Sequence, residues 1–330
     1  MRIFRVLFIG AFLAVAPLTI PGVPDRVLEF VRPTPPPEAR VVFVGDIMLS
    51  RTVAKKMWQK GPDFPFTSIS DIIRDADIAF GNLETTITDG PPTEAYEMRF
   101  RADAHASQSL KDAGFDMLSL ANNHTFDFGE QGLLNTISAL EGVGISHVGA
   151  GKDAAEAGQP MFMNANGIQF AFLAYTDQRF SGREAGIERP GASLMRTERM
   201  QEAVRAAQVF ADIIVVSVHW GDEYETEPNE AQRAFAHAAI DAGADIVIGH
   251  HPHVLQPREM YQGKPIFYSL GNFVFDQMWS EETRTGAILE VVFGKERALD
   301  MSYQPVLIEE YARPRVAEEK RAFVAERLGF

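Results

Sequence analysis

Uninterrupted apolar runs along the chain alternate with segments in which apolar residues recur every three or four positions. Residues 41–44, 78–80, 117–121, 213–218 and 246–248 are such runs, short and rich in Val, Ile, Leu and Phe. A run without polar alternation reads as a strand covered on both faces, the pattern of buried sheets in α/β and layered proteins. Residues 51–59, 68–75, 106–113, 130–140 and 196–210 predict helices; Leu133, Leu134, Ile137 and Leu140 share one helical face. Pro228 opens a further helix at a permitted first-turn position, and Gly243 closes it. Asn166-Gly167 predicts a hairpin turn and Gly263-Lys264 another. Residues 288–293 and 301–308 read as late antiparallel strands. Residues 89–95 and 175–191 read as loops, and 317–328 as an amphipathic helix in a tail spanning 311–330. No internal repeat is visible.

The ends of the apolar runs carry a narrow set of side chains. Asp46 closes the first, Glu84 stands just past the second, Asn122-Asn123-His124 ends the third and His219 the fourth. The fifth runs into Gly249-His250-His251-Pro252-His253, so three of the eight histidines fall within four residues. Loops at strand ends are where open α/β sheets place their chemistry. Carboxylate, amide oxygen and imidazole together suit a hard or borderline ion such as Mn²⁺, Fe²⁺, Zn²⁺ or Mg²⁺. With no cysteine in the chain, thiolate sites and disulfides are excluded, and any metal must be held by oxygen and nitrogen. His105, His147 and His237 read as packed histidines. In residues 98–101, alternation puts Arg99 and Arg101 on one side of a strand, where they either line a solvated face or bind an anionic substrate.

Length and charge narrow the partners. The 330 residues carry a formal net charge of −14, which argues against nucleic acid, because phosphate neutralisation needs clustered Lys and Arg. Arg2 and Arg5 precede an uncharged apolar stretch ending near Pro24, so residues 1–24 read as an export signal peptide or a retained membrane anchor. Residues 25–39, with Arg32-Pro33-Thr34-Pro35-Pro36-Pro37, form a Pro-rich spacer, and a domain over 40–310 follows. These features place the domain outside the cytoplasm, anchored through the N-terminus, or periplasmic or secreted if that segment is cleaved.

Gly45-Asp46-Ile47-Met48, Gly81-Asn82-Leu83-Glu84, Ala121-Asn122-Asn123-His124 with Asp127 and Gly129, and His219-Trp220-Gly221-Asp222-Glu223-Tyr224 resemble motifs of the CapA-type poly-γ-glutamate capsule biosynthesis proteins. Gly249 to Gln256 and Tyr268-Ser269-Leu270-Gly271-Asn272-Phe273 continue the likeness in the family's order, over residues 41–277. That family is similar to the calcineurin-like metallophosphoesterases, which implies a four-layer α/β/β/α sandwich around two divalent ions. The resemblance implies Asp46, Glu84, Asn123, His219, His251 and His253 as metal ligands, with His250 an alternative to His251. It implies His124 as general acid, with Asp46 beside it in the catalytic set; Arg99, Arg101 and Asn272 are expected to contact substrate. Met48 stands where the phosphoesterases carry the histidine of an Asp-x-His motif, which removes one ligand.

The resemblance implies an exported metal-dependent hydrolase or transferase that attacks a phosphoester or amide in an anionic envelope polymer. Two alternatives stay open. One is a non-catalytic membrane-anchored subunit working with membrane-bound synthase partners; the other is a phosphodiesterase or phosphatase with another substrate.

Overall fold

A computed structural model describes residues 36–90, 98–177 and 183–330. The expected signal or anchor at 1–24 and most of the 25–39 spacer lie outside the described residues, as do parts of the 89–95 and 175–191 loops. Among the described residues no helix is long and apolar enough to cross a membrane. Residues 37–330 form one compact unit.

In chain order the strands fall into three groups. β1 (Ala39–Ile47), β2 (Ile78–Leu83), β3 (Met117–Ser119) and β4 (Ser146–Val148) are mutually parallel neighbours in a first sheet. A second sheet holds β5 (Met161–Ala165), β6 (Ile168–Thr176), β7 (Ile213–His219), β8 (Ile246–His250), β9 (Leu255–Tyr261) and β10 (Lys264–Leu270), in the order β9-β10-β8-β7-β6-β5. The chain then returns to the first sheet as β11 (Asn272–Val274), β12 (Thr285–Phe293), β13 (Ala298–Glu309) and β14 (Arg313–Val316).

The apolar runs explain the layering. Along β1, Val41 and Phe43 face one core while Val42 and Val44 face another; along β7, Ile213 and Val215 oppose Ile214 and Val216 in the same way. The shared core lies between the two sheets, where the Phe80 and Phe172 rings stack at 5.6 Å. Such pairs contribute about 0.5–1.5 kcal/mol beyond their buried area. The outer face of the first sheet is covered by helices Arg51–Lys60, His105–Ala113 and Gly129–Gly142, through Met57, Leu110, Leu133 and Leu140. Helices Thr197–Ala207 and Glu230–Ala242 cover the second sheet through Met200, Val204, Phe235 and Ile240. The result is the expected α/β/β/α sandwich. Asn229 starts the second of these helices with a reciprocal capping box to Gln232, worth about 1 kcal/mol.

Some elements differ from the sequence reading. The segment expected as a strand through Arg99 and Arg101 is reduced to Arg101–Ala102, paired with Thr86–Ile87. The tail is helical only over Glu318–Lys320 and Arg321–Leu328; before that, β14 extends the first sheet beside β13. The strand that follows the Gly263-Lys264 turn ends at Leu270, and after Gly271 (φ +69°) the chain leaves the second sheet and pairs with β1 in the first.

Candidate metal centre

Each candidate ligand stands where a buried strand stops, and sheet register brings them together. Asp46 near the end of β1 is registered with Asn82 on β2 and with Asn272 on β11. His219 ends β7 opposite His250, which ends β8. Registered residues on neighbouring strands sit about 5 Å apart on the same face, so these pairings assemble a cluster before any loop contributes. Glu84 follows β2, its N–H donating to the Ile47 carbonyl at 2.9 Å. The His251-Pro252-His253 loop then turns back over the strand ends. His251 (φ 97°) and His253 (φ 58°) hold left-handed backbone, which costs non-glycine residues of order 1–3 kcal/mol each and persists where surrounding structure dictates it.

Asp46, Glu84, His219, His250, His251 and His253 are all buried. The Asn82 amide donates to Asp46 Oδ1 at 2.8 Å, and the His251 N–H donates to Asp46 Oδ2 at 3.2 Å. His253 Nδ1 lies 3.3 Å from Asp46 Oδ2, and its Nε2 lies 3.9 Å from Glu84 Oε1. His219 Nε2 is 3.6 Å from Glu84 Oε2, and His124 Nε2 is 3.6 Å from Glu84 Oε1. Two of the ligand groups that result, Asp46–Glu84–His253 and Glu84–His219–His251, have Glu84 in common, each with donor atoms within 4.8 Å of one another. His250 belongs to neither; its Nδ1 reaches Asp46 Oδ1 at 3.5 Å, and its ring packs 6.5 Å from Phe80.

Burial and neighbouring charge set the protonation of the cluster. Burial works to raise Asp46, but the imidazoles of His250 and His253 hold it well below the usual carboxylate range. Glu84 is pushed up to about 7 by burial, with the nearby Asp46 charge adding to the rise and His253 opposing it. His219 and His251 are driven well below the ordinary imidazole value by burial and neighbouring imidazoles, which keeps them neutral and able to donate lone pairs. Burial disfavours a proton on His253, but Glu84 and Asp46 raise it to about 9.

A cation fits this set. Glu84 Oε1 and Asn123 Oδ1 are buried without a hydrogen-bond partner. Leaving a buried polar group unsatisfied costs about 1–3 kcal/mol, more for a charged one. The mixture of carboxylate, amide and imidazole is the chemistry of Mn²⁺, Fe²⁺, Zn²⁺ or Mg²⁺ ligation.

Other expected site residues take different places. Asn123 lies between Asn122, whose amide donates to Asn82 Oδ1 at 3.1 Å, and His124. His124 Nδ1 bonds Asp127 Oδ2 at 2.7 Å, and its ring stacks on Phe100 at 3.8 Å. Arg99 and Arg101 both lie over the Phe128 ring, at 5.4 and 4.5 Å. Asn272, expected to meet substrate, is fully buried. Its Oδ1 lies 3.0 Å from His253 Nδ1, and its amide donates to Gln277 Oε1 and the Thr283 carbonyl, so it orients an imidazole instead. The sequence reading missed Asn82 as the amide between the two carboxylates, and Glu223, whose carboxylate forms a third ligand group with His251 and His253. Both lie inside motifs already singled out; the strand register and the folded loop, which no local pattern encodes, give them their places.

Residues 40–277 match the family model described as bacterial capsule synthesis protein PGA_cap. The chain belongs to that family. It is 39% identical over 271 residues to the PGA biosynthesis protein CapA of Bacillus subtilis (strain 168), covering 81% of this chain and 71% of that protein. It is 37% identical over 258 residues to the capsule biosynthesis protein CapA of Bacillus anthracis, covering 76% of this chain and 62% of that one. Among solved structures, the NAD nucleotidase NadN of Haemophilus influenzae superimposes with a TM-score of 0.51 at 11% identity, over 88% of this chain and 62% of that one. This last likeness concerns the fold alone: the PGA_cap chain is built on the metallophosphoesterase-like sandwich.

Proposed function

We propose that this chain is an exported metal-dependent hydrolase or transferase that acts in making or anchoring a poly-γ-glutamate capsule or a related anionic envelope polymer. The observation that carries this reading is the convergence of Asp46, Glu84, His219, His251 and His253 into two donor groups sharing Glu84, whose Oε1 is buried without a hydrogen-bond partner. Asp46, Glu84, His219, His251 and His253 would hold two divalent ions, with Asn123 a further candidate ligand. Bound there, they would supply the positive charge that lowers the pKa of an attacking water and stabilises a developing oxyanion.

The chain's own residues do the rest. Asp127 Oδ2 accepts a hydrogen bond from the Nδ1–H of His124, which leaves Nε2 facing the centre at 3.6 Å from Glu84 Oε1. From there the imidazolium form is placed to give its Nε2 proton to the leaving group at a phosphoester or amide, returning to the neutral Nδ1–H ring. The Phe100 ring stacks on His124 and fixes its plane. Arg99 and Arg101 over Phe128 offer positive charge to an anionic polymer. Residues 1–24, as retained anchor or cleaved signal, deliver the domain outside the cytoplasm.

A non-catalytic subunit of a membrane-bound synthase is a second reading, favoured by Met48: it is fully buried and offers no imidazole at the Asp-x-His position. Metal analysis of the purified full chain, with turnover of a chromogenic phosphodiester and of a γ-glutamyl oligomer in Mn²⁺, separates the two. The proposal expects about two metal equivalents and at least a hundred-fold loss of turnover in His219→Ala. A folded protein that binds no metal and turns over neither substrate sinks it.

A further inference from the structure

Two observations on opposite walls of the centre bear on how its ligand set is closed. On the β1 side, Met48 is packed into the core beneath the helices, where its sulfur accepts the Ser50 N–H at 3.0 Å, so Asp46 is the sole donor that this strand end sends into the ligand groups. On the β7 side, Glu223 is exposed, yet a carboxylate oxygen lies within 4.8 Å of ligand nitrogens of both His251 and His253. Those two histidines belong to different groups that share Glu84, so this exposed carboxylate lies beside a member of each.

The loop carrying Glu223 is held there. Trp220 at its base is buried and donates from Nε1 to the Tyr268 carbonyl at 2.9 Å. The Tyr224 N–H donates to the Pro252 carbonyl at 2.8 Å, which ties the loop directly to the His251-Pro252-His253 turn. Tyr224 itself takes φ 66°, and its hydroxyl accepts from Gln277 Nε2 at 3.2 Å, the same Gln277 whose Oε1 accepts from Asn272. Downstream, Asp222 Oδ2 accepts from the Asn229 amide at 3.1 Å, beside the capping box. A freely solvated surface glutamate needs none of these ties.

From this we infer that Glu223 is a metal ligand of the centre, a third carboxylate closing it from the solvent side. The inference rests on the proposed metal-dependent reading. A third carboxylate hardens the site and favours Mn²⁺ or Mg²⁺ over Zn²⁺. It also leaves one ligand at the mouth, where an incoming anionic substrate can displace it without opening the buried set.

The test is Mn²⁺ and Zn²⁺ binding to the metal-stripped full chain by calorimetry, comparing wild type, Glu223→Gln, Glu223→His and Glu227→Gln. Glu227 is an exposed carboxylate on the same loop and serves as control. The expected result is at least tenfold weaker Mn²⁺ binding or loss of one equivalent in Glu223→Gln, a shift toward Zn²⁺ in Glu223→His, and wild-type binding in Glu227→Gln. Unfolding of the metal-free variants at the wild-type midpoint keeps the comparison on ligation. Wild-type affinity and stoichiometry for both ions in Glu223→Gln overturns this inference alone. Absence of binding in the wild type overturns it together with the proposed function.

Discussion

His147, on β4 beside Glu156 at 3.6 Å, shows what burial does to a single side chain outside the ligand groups. Burial lowers its pKa from the ordinary imidazole value, more than the opposing charges of Glu156 and Glu141 restore. The folded chain therefore resists a proton that the unfolded chain accepts near pH 6.5. Stability from this group is fully present above that pH and is lost as pH falls through it, by at most about 1.4 kcal/mol per pH unit. Urea unfolding at pH 8 and pH 5.5 should show wild type losing more stability than His147→Gln over that span. Equal losses in the two proteins would show that His147 contributes nothing to acid sensitivity. The same logic governs what could be read of the site from sequence. Residue type singled out Asp46, Glu84, His219 and His253 as candidate donors, and the fold gathers them. Type alone could not distinguish Asn272, sealed behind His253, from a residue open to substrate.

Gly45 is an element-scale constraint. A Cβ there would stand 1.8 Å from the Gly271 carbonyl oxygen, at the point where β11 crosses from the second sheet to pair with β1. The clash is with backbone, so no side-chain rearrangement relieves it. Gly45→Ala should destabilise the fold by about 3 kcal/mol, the upper part of the range for overpacking. Gly142, at the end of its helix with nothing within 4 Å of a Cβ, should tolerate alanine or gain a few tenths of a kcal/mol. Thermal or urea unfolding of both variants checks this; a Gly45→Ala protein as stable as Gly142→Ala would show that the crossing is slack. Legibility follows the same line. The long apolar runs were readable as strands covered on both faces, because apolar side chains on alternate positions need two cores. Asn166-Gly167 was readable as a turn, since both residues take positive φ, at 52° and 82°. The Gly271 crossing was not, because a three-residue strand is defined by its partner across the sandwich and carries no periodicity of its own.

For the whole molecule, the sandwich brings two sheets together at one end and gathers buried carboxylates and imidazoles there, in a protein of net charge −14. Without a cation, Asp46 and Glu84 lie in one buried site with Glu84 Oε1 unsatisfied, a cost the fold carries within its own stability. An ion that binds the folded chain and not the unfolded one removes that cost and stabilises by mass action. At a free Mn²⁺ concentration of about 100 times the dissociation constant, the gain is about 2.7 kcal/mol, or an upward shift of roughly 5 °C in Tm for a domain of this size. Melting curves in EDTA and across a Mn²⁺ series should show that shift growing with the logarithm of concentration. His219→Ala should flatten the series, because it removes one donor from the group that shares Glu84 with the Asp46 side. If wild type melts at one temperature throughout, the gathered donors hold no ion in the folded state. The assembly of side chains at the strand ends would then be an architectural consequence of the family's fold, carried without the chemistry that such a donor set supports.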